Sequence, residues 1–272
     1  MNIIDRGSGT PIVVIPGIQG RWEWMTPAID ALARRCRVIT FSLADEPSSG
    51  GRFDEHRGLQ SYVDQVRDAL DAAGLRQATI CGVSYGGLIA AAFAARHPDR
   101  TSSLVLVSAL PPSWRPDARV RFYLRAPRVL APLFMLASLR MYREIAIASD
   151  GFIPGVATAA QLGWRSVTHM FSPSRMARRI RLLDAIDVAT ARASVAAPAT
   201  PALIITGEPA LDRVVPVSMT REYLQLWPGA RVTTLARTGH LGSMTRPVDF
   251  ADLVVPFVER VDERNDDWRQ VG

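Results

Sequence analysis

A serine framed by glycines, set between a strand and a helix, constrains this chain more than any other feature. Gln77 to Val83 is an apolar run with strand character. It leads through Gly82-Val83-Ser84-Tyr85-Gly86-Gly87 into an alanine-rich helical stretch, Leu88 to Arg96, which ends at His97-Pro98. A chain passing from strand to helix in so few residues must fold back sharply, and side chains at Gly82 and Gly86 would collide across the turn. The same geometry pushes Ser84 out at the carboxyl end of its strand, where open α/β sheets bind ligands. A Gly-x-Ser-x-Gly string by itself occurs by chance; placed between a strand and a helix it is a specific signal.

The rest of the first half supplies such a sheet. Asn2 to Asp5 reads as a short strand, Pro11 to Ile15 as a β-branched strand buried on both faces, and Arg37 to Phe41 as another apolar strand. Trp22 to Arg35 has helical character interrupted early by Pro27, and Leu59 to Ala73 has helical spacing stopped by Gly74. Ser103 to Val107 is the next strand. The alternation returns late, with strands at Ala202 to Thr206 and Arg231 to Leu235 and helices at Val217 to Trp227 and Val248 to Arg260. This pattern predicts a mostly parallel central sheet flanked by helices. Between Pro111-Pro112 and Ala197-Pro198-Ala199-Thr200-Pro201 the rhythm breaks into helical patterns without strands. The expected organisation is therefore a core of residues 1–112 and 198–272 with a helical insertion, residues 113–197, at the carboxyl edge of the sheet.

A serine hydroxyl is a poor nucleophile without a base. Of four histidines, His97 closes a helix, His56 lies in a polar loop and His169 lies in the insertion. His240, in Thr238-Gly239-His240-Leu241-Gly242, follows the last strand and so falls on the same sheet edge as Ser84. An imidazole acting as base needs a carboxylate to fix its tautomer. Two acids compete in the loop after Ala202 to Thr206, Glu208 and Asp212, and Asp212 is the stronger candidate. The amide of Tyr85, at a helix N-terminus, is placed to donate to a developing oxyanion.

The order Ser84, Asp212, His240 with these flanking motifs resembles the α/β-hydrolase superfamily, over nearly the whole chain. The resemblance implies a second oxyanion donor, the amide of Ile18, in Pro16-Gly17-Ile18-Gln19-Gly20, where proline replaces the usual histidine. That replacement removes a side chain that often buttresses the loop. The resemblance also favours Asp212, because members often show Asp followed shortly by Val-Pro, as Asp212 to Pro216 does. Against it, the gap from Gly207 to Asp212 is two residues longer than usual, which keeps Glu208 in contention. The insertion resembles the family's cap. The family's antiparallel strand is expected to be absent or minimal. A serine at this turn implies hydrolysis of a small-molecule ester, thioester or lactone. C–C bond hydrolysis of a β-diketone-like substrate, or a catalytically silent binding member, are the alternatives. No metal and no organic cofactor are implied.

Composition narrows the partners. All 32 basic residues are arginine and the formal charge is +6. The insertion holds 13 arginines against 5 acids, so it carries the whole positive excess. No nucleic-acid motif accompanies it. Its apolar stretch, Phe122, Tyr123, Leu124, Val129, Leu130, Leu133, Phe134, Met135, Leu136 and Leu139, is interleaved with arginines; packing of an amphipathic helix on the core is the first expectation, peripheral contact with an anionic membrane the second, and an arginine that grips a substrate carboxylate the third. Cys36 and Cys81 sit in apolar strands and are expected to be reduced and buried. The start, Met1-Asn2-Ile3-Ile4-Asp5, has no basic region followed by an apolar run, so a cytoplasmic location is the default expectation. The polar tail from Asp262 to Gly272 is the one stretch whose composition suits disorder. Oligomeric state is not legible.

Overall fold

The computed structural model describes residues 1–149, 152–168, 172–186, 188–193, 195 and 200–271, the side chains of 152, 162, 163, 165–168, 188–190 and 264–271 excepted. His169 and Ala197, and with Ala197 the expected end of the insertion, lie outside them.

Among the described residues seven strands form one sheet: β1 (Ile4–Arg6), β2 (Thr10–Ile15), β3 (Cys36–Thr40), β4 (Ala78–Val83), β5 (Thr101–Val107), β6 (Ala202–Thr206) and β7 (Arg231–Thr234). Their order is β1-β3-β2-β4-β5-β6-β7. Only β1 runs antiparallel, pairing Ile4 with Thr40 and Arg6 with Val38 of β3. It is three residues long, the minimal version of that strand. The helices are α1 (Thr26–Leu32), α2 (Leu59–Ala72), α3 (Tyr85–Arg96), α4 (Ala118–Arg125), α5 (Ala131–Ala137), α6 (Tyr142–Ala148), α7 (Phe152–Thr168), α8 (Pro173–Asp184), α9 (Val188–Ala193), α10 (Val217–Thr220), α11 (Gly242–Thr245) and α12 (Pro247–Val271).

The strand residues divide by parity, as a pleated sheet buried on both faces requires. Val13, Ile15, Ile39, Ile80, Leu104, Leu106 and Ile204 pack with α2 and α3 on one face. Ile12, Val14, Val38, Cys81, Val105, Leu203 and Ile205 pack with α1 and α12 on the other. Both cysteines are free and fully buried, and burial pushes their thiols up, Cys36 to about 11 and Cys81 to about 12. They are inert core residues.

Several boundaries depart from the sequence reading for local reasons. Pro27 does not interrupt a helix; it sits in the first turn of α1, where a missing N–H costs nothing, and the preceding Trp22–Met25 is a 3-10 turn. Helix α3 begins at Tyr85, three residues before the apolar pattern suggests, because Gly86 and Gly87 are helical. The Val217 to Trp227 stretch is a short α10 continued as 3-10 helix. The polar tail is helical through Val271 as the end of α12, and Thr10 donates to Asp262 at 3.1 Å.

Helices α4 to α9 lie between β5 and β6. Apolar residues of this segment do not all pack inward as an amphipathic helix would: Val129, before α5, is 78% exposed, Leu136, on α5, 62%, and Leu139, in the 3-10 turn after it, 65%. Among the described residues no helix is long and apolar enough to cross a membrane.

The order of strands fixes where a site can form. From β2 the chain steps to β3 on one side, and then crosses to β4 on the other. The strands stay paired up to Ile15 and Gly82, but the chain leaves their carboxyl ends toward opposite sides of the sheet, the usual ligand position in open α/β sheets. The loop after β2 holds Pro16 to Gly20, and the turn after β4 holds Ser84.

Candidate active site

Ser84 joins β4 to α3 with φ 54° and ψ −117°, a backbone region that L side chains rarely adopt. Its surroundings impose the angle. The Ser84 N–H donates to Val107 O at 2.9 Å, and its carbonyl accepts from Gly87 N at 3.0 Å and Leu110 N at 2.9 Å. The glycines are required by backbone contact. A Cβ on Gly82 would lie 2.2 Å from Gly86 O, and one on Gly86 would lie 2.4 Å from Ile15 O. The hydroxyl that emerges is only 8% exposed as a residue.

His240 reaches it from the loop after β7. Its Nε2 lies 3.0 Å from Ser84 Oγ, and its Nδ1 lies 3.4 Å from Asp212 Oδ2. The second oxygen of Asp212, Oδ1, accepts the amides of Val214 at 3.0 Å and Val215 at 2.9 Å. The carboxylate is thus held on one side by backbone and offers the other side to the imidazole. Glu208 does a different job: its Oε1 accepts the amide of Arg237 at 2.7 Å, where the chain takes φ 63°. It shapes the turn leading to His240, and the imidazole pairs with Asp212.

The longer loop between Gly207 and Asp212 is also accounted for. Leu211 N and Asp212 N donate to Glu208 O at 3.0 and 3.1 Å, and Glu208 N donates to Thr238 O at 2.7 Å. The extra residues wind into a turn that returns Asp212 to the histidine loop. Gly239 must lack a side chain there, since a Cβ would stand 2.6 Å from Leu211 C and O.

Of the two amides expected at an oxyanion site, that of Tyr85 follows Ser84 directly, and that of Ile18 follows Gly17, which packs on Ser84. Tyr85 N begins α3, so its N–H is one of the unpaired donors of that helix end. In the loop after β2, Gly20 N donates to Gly17 O at 2.9 Å, closing a turn. A trans peptide points its C=O and N–H in opposite directions, so this bond turns the Ile18 N–H outward from the loop. Gly17 lies against Ser84: a Cβ there would be 3.4 Å from Ser84 Cβ.

Two residues that the sequence did not single out bind these loops. Arg179, on α8, is fully buried and donates to Ile18 O at 2.8 Å, to Asp45 at 2.6 Å and to Glu46 at 2.6 Å. It ties the loop after β2 to α8. Gly20 (φ 75°) makes room, because a Cβ there would fall 2.3 Å from Arg179 Nη2. Glu144, on α6, is likewise buried, and its Oε1 accepts the amides of Gly239 at 2.9 Å and Leu241 at 2.5 Å. In sequence both read as ordinary members of a basic, helical stretch. Their partners are 95 to 161 residues away, beyond the reach of any local motif.

Among the described residues no cluster of His, Cys, Asp and Glu could hold a metal ion. The family described as alpha/beta hydrolase fold matches residues 10–247. A protein of Azorhizobium caulinodans named as a carbamate hydrolase is 28% identical, covering 95% of this chain and 94% of its own length. The 2-hydroxymuconate semialdehyde hydrolase of Pseudomonas putida is 26% identical, covering 96% of this chain and 91% of its own. Among solved structures, the enol-lactonase from Burkholderia xenovorans superposes with a TM-score of 0.73 at 22% identity, covering 95% of this chain and 96% of that one.

Proposed function

Because the chain belongs to the alpha/beta hydrolase fold family, we propose that it is a serine hydrolase in which Ser84, His240 and Asp212 cleave a small-molecule carboxylic ester, thioester or lactone. The observation that carries this reading is the 3.0 Å approach of His240 Nε2 to Ser84 Oγ, with Asp212 on the other ring nitrogen. That spacing lets Nε2 take the hydroxyl proton as Oγ attacks a carbonyl carbon. Asp212 holds the Nδ1–H tautomer and stabilises the imidazolium that forms. Amides of Ile18 and Tyr85 receive the negative oxygen, each worth roughly 10²–10³ in turnover. His240 then protonates the leaving group, and water, activated by the same imidazole, cleaves the acyl-enzyme. This chemistry calls for no metal and no organic cofactor.

The helices between β5 and β6 act as a cap in this reading. Ser84 is nearly closed off, and helices α6 and α8 touch the histidine and oxyanion loops. Substrate therefore enters beneath them, and their lining sets the acyl chain accepted.

Hydrolysis of nitrophenyl esters of graded chain length tests the proposal. Ser84→Ala should lower turnover by roughly 10⁶ and abolish labelling by a fluorophosphonate probe. Near-full activity in that variant would overturn the assignment. A second reading, hydrolysis of a C–C bond beside a carbonyl, is favoured by one observation, the full-length match to a semialdehyde hydrolase. It uses the same three residues. Labelling of Ser84 without turnover of any ester would select it.

A further inference from the structure

The distance from His240 Nδ1 to Asp212 Oδ2 is 3.4 Å, long for a hydrogen bond that orients the ring. The backbone around the base is held much more firmly. Gly239 N and Leu241 N, the amides on either side of His240, both donate to one oxygen of Glu144, at 2.9 and 2.5 Å. Glu144 belongs to α6, is 2% exposed, and its other oxygen, Oε2, is buried without a hydrogen-bond partner among the described residues. Two loop amides could have faced water at no cost. Instead a carboxylate from 95 residues away is buried against them. Burying it is unfavourable, and that burial pushes the carboxyl up to about 6, against the opposing pull of the Leu241 and Gly239 amides and of His240. Two charge-assisted hydrogen bonds offset the cost. They fix the peptides that bracket the histidine, and with them the direction in which its Cα–Cβ bond points.

We propose that Glu144 is a positioning residue for His240: by gripping the amides of Gly239 and Leu241 it holds Nε2 on Ser84 Oγ, so that docking of the inserted helices completes the base. This rests on the reading of His240 as the base of a serine hydrolase, and goes beyond it by making α6 part of the machinery. Glu144 does not touch substrate. It acts through the imidazole alone, and a 1 Å misplacement of such a group is enough to cost about 10² in rate.

The test uses the full chain and three variants. Glu144→Ala removes the acceptor; Glu144→Ser removes it while admitting water to the two amides, and serves where the alanine variant does not fold; Glu144→Gln keeps an acceptor oxygen without the charge. Turnover of a nitrophenyl ester is measured per active site titrated with fluorophosphonate, and the imidazole nitrogens of His240 are followed by NMR. The expected result is a kcat lowered roughly 10- to 100-fold in the alanine and serine variants with KM within about 3-fold, a broadened or lost His240 Nδ1–H signal, and recovery of most of both in Glu144→Gln. An unchanged kcat per titrated site with an unchanged imidazole spectrum overturns the proposal, even where thermal stability falls. So does a glutamine variant as impaired as the alanine one. If the unaltered protein is neither labelled at Ser84 nor shows Ser84-dependent turnover, the hydrolase reading fails by itself, and the imidazole spectrum still decides whether Glu144 positions His240.

Discussion

At Asp212 several neighbours oppose the effect of burial on the carboxyl. Burial pushes the group up, but the hydrogen bond and charge of His240 and the amides of Val214 and Val215 outweigh it and leave it below the usual carboxylate range. An acid that stays ionised beside the ring is what an orienting carboxylate requires. Glu208 makes no such contact, and its Oε1 accepts the Arg237 amide. Asp212→Asn should therefore lower kcat by about 10⁴, through the wrong imidazole tautomer. Glu208→Gln, which still accepts from Arg237, should cost less than about 10-fold by comparison. Steady-state kinetics of the two variants distinguish the acids, and the reverse ranking would move the role to Glu208. The serine, the histidine and this pair of acids were readable because each lies directly after a strand, so a local motif fixes its edge of the sheet. Choosing between the acids needed the turn that winds back from Glu208, which depends on Thr238 some thirty residues later.

Among the elements, α8 shows what a local reading misses. Its sequence, Pro173 to Asp184, carries four arginines and no motif that singles out one of them. Yet Arg179 is fully buried, with Asp45 and Glu46 within 2.6 Å, while Arg178 reaches Asp45 at 2.9 Å from a more exposed position. The two acids sit in the loop after β3, which neither periodicity nor motif marks. A buried ion pair contributes little net stability against a well-packed apolar alternative, but removing one partner leaves a charge stranded. Arg179→Met should therefore destabilise the protein by about 3–5 kcal/mol, read as a fall in the urea midpoint with the slope unchanged. Because the same guanidinium holds Ile18 O, the variant's kcat per titrated site should also fall, by no more than about 10²–10³, the cost of a lost oxyanion donor. Arg179→Lys, which keeps the charge but not the fork, should restore part of the stability and less of the rate. A midpoint unchanged in Arg179→Met would show that α8 docks by other contacts.

For the whole molecule, the parallel sheet explains why so much of the site was legible. Loops leaving the carboxyl ends of β2, β4 and β7 meet at Ser84, the loop after β6 meets the last of them at His240, and strand alternation alone predicts their common edge. The inserted helices follow no such rule, because their placement depends on long-range contacts such as those of Glu144 and Arg179. This is also why apolar residues read as a packing face, Val129, Leu136 and Leu139, are exposed instead. Coupling between the two parts has a signature in pH. Glu144 binds its proton more tightly folded than unfolded, its pKa rising from 4.5 to about 6. The folded state then holds more protons than the unfolded one across that window, so its contribution to stability falls as pH rises from about 4.5 and levels off above 6. The rise corresponds to about 2 kcal/mol. Asp212 acts in the opposite sense and elsewhere: its folded pKa is depressed, so its contribution is present above the unfolded value and lost as pH falls through the folded one. Urea unfolding of the unaltered chain and of Glu144→Gln, compared from pH 4.5 to 7.5, isolates the first effect. The unaltered chain should lose up to about 2 kcal/mol relative to the variant by pH 7, with most of the change before pH 6.5. A difference that stays flat across this range would mean that Glu144 ionises without cost, and that the helices carrying it do not bury it against the histidine loop in solution.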